Sequence, residues 1–121
     1  MLFHHTRSIV TDAAGAAEVY VGEKIIGRVV AIRYSPGSLD AGADLTLTGD
    51  VSGSPVLTVG NAGAAEVWFY PQVTPHKAAD GSEIAGGQAD VFLFGERVKV
   101  VVAQGGNVGA GSITIFTEED Y

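Results

Sequence analysis

The chain has 121 residues, 46% of them hydrophobic and only 17% charged, and its 14 acidic and seven basic side chains give a net charge of −7. That composition excludes intrinsic disorder. With no basic cluster, it also argues against nucleic-acid phosphates and anionic membrane surfaces as partners. Cysteine is absent, which removes disulfides, thiolate metal sites and thiol nucleophiles.

The length is that of one domain. No window carries apolar residues at helical spacing over three turns, and period two recurs instead. The first ten residues, MLFHHTRSIV, lack the layout of a signal peptide. They read as an extended arm over 1–10, ahead of a single domain over 11–121. Leu2 and Phe3 stand where apolar side chains gain nothing unless something covers them. They are therefore candidate contact residues, suited to adding the arm to the sheet edge of a neighbouring subunit. His4 and His5 are adjacent, so an extended backbone points them to opposite sides and away from a shared metal ion.

TDAAG (11–15) is a turn. EVYVG (18–22) and GRVVAIRY (27–34) follow as strands, and YSPGS (34–38) sets Pro36 and Gly37 at the corners of a type II turn. ADLTLTG (43–49) and PVLTVG (55–60) are further strands joined by hairpin-length connectors. Asp40, Asp44 and Asp50 lack the compact spacing of a calcium loop and read as turn residues.

EVWFY (66–70) alternates, which turns Glu66, Trp68 and Tyr70 to one face and Val67 and Phe69 to the other. Three uses of that stripe are open: a protein contact, since Trp and Tyr are enriched at interface hot spots, a core closed by the following loop, or a platform for stacking a sugar ring. The stretch 71–89 reads as a long irregular loop, a length that is uncommon and often functional. It holds His76 and Asp80, and the bland expectation for His76 is a solvated loop histidine.

DVFLFG (90–95) and ERVKVVVA (96–103) are two more apolar strands, with Gly95 and Glu96 expected as a tight turn between them. GGNVGAG (105–111) raises the question of a phosphate loop. Such a loop needs a helix after it and usually a lysine, whereas SITIF (112–116) alternates as a final strand and no basic residue follows Lys99. A hairpin turn is the expectation. TEEDY (117–121) reads as a solvated acidic tail.

Eight short strands bounded by turn residues describe an all-β fold, a single-domain antiparallel β-sandwich or jelly-roll-like domain. There is no G-x-S-x-G elbow and no metal-ligand spacing, so the expectation is a non-enzyme without cofactor or metal.

Taken together, Thr11 to Gly15, Gly27 to Tyr34 (GRVVAIRY), Leu39 to Gly49 (LDAGADLTLTG) and Glu96 to Gly106 (ERVKVVVAQGG) resemble a group of small virion structural proteins of tailed bacteriophages and prophages. These elements are structural rather than catalytic. The resemblance implies a head decoration, or cement, protein: a β-fold homotrimer, made in the host cytoplasm and seated on the capsid surface of the virion. Its partners would be the major capsid protein and copies of itself, with no nucleic acid and no membrane. On that reading Leu2, Phe3, Trp68, Tyr70 and His76 are contact residues. A tail protein, head–tail connector or spike base is one alternative, and a carbohydrate-binding β-sandwich module is another.

Overall fold

Valine, isoleucine and threonine fill the alternating runs, and these residues pack well on a pleated, half-buried surface. The computed structural model describes residues 1–119 and builds strands, with no helix, from those runs. In chain order they are β1 (Leu2–Val10), β2 (Ala17–Ser35), β3 (Asp44–Gly49), β4 (Pro55–Val59), β5 (Val67–Phe69), β6 (Gln72–Val73), β7 (Ala89–Ala103) and β8 (Ala110–Glu119). The sheet is antiparallel in the order β1-β8-β2-β7-β3-β4, with β5 added to β2 and β6 to β7. The fold is all-β, as the alternation predicts.

Two strands are far longer than expected. EVYVG and GRVVAIRY merge into β2, and DVFLFG and ERVKVVVA merge into β7. The supposed turn at Gly95 and Glu96 is a bulge. Ile25 pairs with Glu96 and Ile26 with Phe94, which leaves Gly95 as the extra residue, at φ 80°. A left-handed glycine serves a bulge as well as a turn, so the local signal is the same for both.

Because β2 and β7 run through, each serves both leaves of a sandwich. Residues 17–21 of β2 pair with 98–102 of β7, which carries β3 and then β4 on its other edge. Residues 27–35 of β2 pair with β8, which carries β1. Alternation then sends Val21, Val98, Val100, Leu45 and Leu47 from one leaf, and Ile9, Ile32, Tyr34, Ile113 and Ile115 from the other, into a single core cluster. Gly27 sits where β2 begins to pair on both edges, at φ 156°. A Cβ there would collide with the Glu118 carbonyl oxygen, so the motif's first residue is fixed by a close backbone approach.

Residues 1–10, expected as an arm reaching a neighbour, form β1 within the chain's own sheet, in register with β8 from Leu2↔Glu118 to Val10↔Ala110. Burying Ile9 completely anchors it. The acidic tail is also different from expectation: Thr117 and Glu119 are buried in β8, while Asp120 and Tyr121 lie outside the described residues.

The glycine-rich segment is not a hairpin, because β7 and β8 are separated by β2. It is an arch that carries the chain from one leaf to the other. Its groups are held by other turns: Gly105 N–H donates to the Gly15 carbonyl at 2.8 Å, Asp40 N–H to the Gly105 carbonyl at 3.0 Å, and Gly109 N–H to the buried Thr11 hydroxyl at 2.8 Å. Thr11, Asp12, Gly15, Asp40 and Gly105 thus meet at one end of the sandwich. The turn after β2 is shifted by one residue, closing from Leu39 N–H to the Pro36 carbonyl.

Candidate interaction face

The outward side chains of the β1–β8–β2 leaf follow from register. Leu2 and His4 on β1, Phe116 and Glu118 on β8, and Ile26, Arg28 and Arg33 on β2 alternate away from the core. Phe92 and Phe94 on β7 lie opposite Arg28 and Ile26, and Trp68 on β5 lies opposite Arg33. All belong to one side of the sheet.

That side is apolar and largely bare. Phe94 is 72% exposed, Ile26 51%, Phe92 50% and Trp68 42%. The Trp68 ring stacks on Phe116 with centroids 5.2 Å apart and 27° between planes, and the Arg33 guanidinium lies 5.6 Å from its centroid. His4 continues the row, 6.1 Å from Phe116. A shallow depression of about 540 Å³ links Met1, Ile26, Phe92 and Phe94. Opposite charges stand beside these rings at different ranges: the N-terminal ammonium meets Glu118 at 3.1 Å, Arg33 faces Glu66 at 3.8 Å, and Arg28 faces Asp90 at 4.0 Å.

The outer side of the other leaf is built differently. Arg97 forms an ion pair with Asp50 at 2.8 Å and lies over the Tyr20 ring at 4.1 Å, and Lys99 pairs with Glu18 at 3.2 Å. The hydrogen bond to Glu18, and then its charge, hold the Lys99 ammonium above its ordinary pKa. Charged side chains laced in this way are at home in water. The molecule therefore has one ionic and one aromatic broad side.

The expected contact residues are only partly brought together. Leu2 and Trp68 share the aromatic side. Phe3 turns inward instead, half-buried, and lines an open cavity of about 580 Å³ with His5, Ile25 and Glu119. There His5 Nε2 lies 3.0 Å from the buried Glu119 carboxylate, which also accepts the Thr117 hydroxyl. This clasp joins β1 to β8. Glu66, Trp68 and Tyr70 are all exposed while Val67 and Phe69 pack on the core, as the alternation predicts. Tyr70 lies just past the end of β5.

The stretch 71–89 is less irregular than expected. β6 opens it, His76 bridges to Glu83, and Ile84 N–H donates to the Pro75 carbonyl at 2.9 Å, so it projects as a small hairpin. His76 is exposed and borders Phe92 and Phe94. Asp80 does not approach it but accepts from Ser82 N–H at 2.9 Å and from the Ser82 hydroxyl at 2.7 Å. Those bonds, the side-chain one first, hold its carboxyl below the usual range.

Ile26, Phe92, Phe94 and Phe116 were not singled out from sequence. Their signal was present: VFLF is apolar on both faces of a strand, which means either double burial or an open contact surface. Asp44 accepts Asn61 N–H at 3.0 Å and Asp50 pairs with Arg97. Among the described residues no group of three or more His, Asp or Glu could hold a metal ion. No protein-family model, no curated protein and no solved structure matches the chain.

Proposed function

We propose that this chain is a virion structural protein of the capsid-decoration type, which binds shell subunits and copies of itself and catalyses nothing. The observation that carries the reading is the aromatic broad side formed by Phe94, Phe92, Ile26, Trp68 and Leu2. Exposed apolar surface of this extent marks a contact site. The sequence elements that resemble phage virion proteins supply the partner class, and they are consistent with the structural role the end cluster gives them. The mechanism is burial of aromatic area against the shell, with trimerisation multiplying individually weak contacts.

Particles assembled without the protein supply the test. Incubated with the purified chain, they should gain density on the head surface. Phe94→Asp should abolish uptake, and Trp68→Ala should weaken it while the isolated protein stays folded. Sedimentation of the free chain at three times its mass accompanies this reading. Density on the tail, or undiminished uptake by the Phe94 variant, rejects it.

A further inference from the structure

Strand β7 leaves part of one edge uncovered. On one side Val91 to Phe94 pair with β2. On the other side β6 covers Ala89 and Asp90, and β3 begins only at Val98. Among the described residues, no strand pairs with Val91 to Gly95 on that side. The chain's path explains the gap. After Phe69 the chain leaves the β2 ladder and meets β7 again only at Gln72, passing Pro71, which has no N–H to give a ladder.

A side chain attends to one donor on this edge. Phe94 N–H points to Glu96 Oε2 at 3.3 Å, a long bond. Backbone groups two residues apart on an antiparallel strand face the same way, so Phe92 N–H is presented to the same side. The gap opens on a groove of about 310 Å³ lined by Val73 and His76 from the β6 hairpin, Pro55 from β4, and Val91, Phe92 and Phe94 from β7.

We infer that this groove receives an extended peptide segment of another protein, which adds a strand to β7 between β6 and β3 and sets a lysine or arginine beside Asp90. Shape selects a single strand. β6 covers the β7 edge at one end of the gap and β3 at the other, so a long sheet edge of a second copy cannot lie along it. Five residues span about 17 Å, an ordinary strand length, and main-chain bonds with alternate side-chain pockets are how such additions gain affinity and specificity. Charge selects the basic residue. Asp90 is half exposed, its ion-pair partner among the described residues, Arg28, stands at 4.0 Å, and the whole chain carries −7. The inference does not rest on a virion role.

The test selects short linear peptides of random sequence against the full chain and titrates the winners into isotopically labelled protein. Expected winners alternate apolar residues and carry a lysine or arginine. They shift the resonances of residues 90–95 and slow exchange of the Phe92 amide. Asp90→Lys should weaken them about fivefold or more, with Asp90→Asn in between and Glu66→Lys without effect. Four results would overturn the inference: no binders, shifts confined elsewhere, indifference to Asp90→Lys, or dimers that close over the groove. Particle uptake that persists after Asp90→Lys separates this site from the proposed docking face.

Discussion

Glu96 lies in the β7 bulge, 3% exposed, with its carboxylate accepting from Val51 N–H, Ser52 N–H, the Ser52 hydroxyl and Phe94 N–H. Burial pushes its pKa up, but the donors from Ser52, Val51 and Phe94 outweigh that and hold it below the ordinary glutamate value. A lowered folded pKa gives stability that is fully present above the unfolded value and lost as pH falls through the folded one. Glu96→Ala should therefore cost about 2–4 kcal/mol at neutral pH. In urea titrations the gap from the wild type should shrink as the medium is acidified. Tyr34 is the reverse case. It is wholly buried, its hydroxyl has no hydrogen-bond partner among the described residues, and burial raises its pKa. Tyr34→Phe should leave the unfolding free energy from urea titration unchanged or raise it by up to about 1 kcal/mol. Neither role was legible in the sequence, because a Gly-Glu pair between apolar runs has the composition of a turn. The outward set Glu66, Trp68 and Tyr70 was legible, because side-chain period two needs no tertiary information.

Strand merging is the main thing that short-range signals missed at the scale of elements. Gly22, Gly27 and Gly95 break the runs of β2 and β7 in sequence, yet both strands continue past them paired with each other, the register slipping between Val21 and Ile26. The arch at 104–109 was likewise read correctly as glycine conformation and wrongly as a hairpin, since which strands pair is set by long-range contacts. Gly27→Val is expected to lower thermal stability severely, by about 3 kcal/mol or more, through collision with the β8 backbone. The projecting hairpin should behave oppositely. Most of residues 74–86 are exposed, so replacing 76–84 with a short glycine–serine link should leave the melting temperature within about 2 °C. Calorimetry of the two variants checks both.

For the whole molecule, fold class was legible and the exposed aromatic side only in part. Trp68 and Leu2 were singled out from sequence. Phe92 and Phe94 were missed, because nothing local says which side of a doubly apolar strand stays open. The double change Phe92→Asp, Phe94→Asp alters exposed side chains only, so far-UV spectra and cooperative unfolding should persist. Binding of a hydrophobic dye should fall several-fold.

The passage of β2 and β7 through both leaves has a mechanical consequence. A load applied to the aromatic side reaches the ionic side along two covalent backbones as well as through side-chain packing. The leaves cannot slide past one another without tearing ladders on both, so a tug should meet a shear-loaded body that yields all at once.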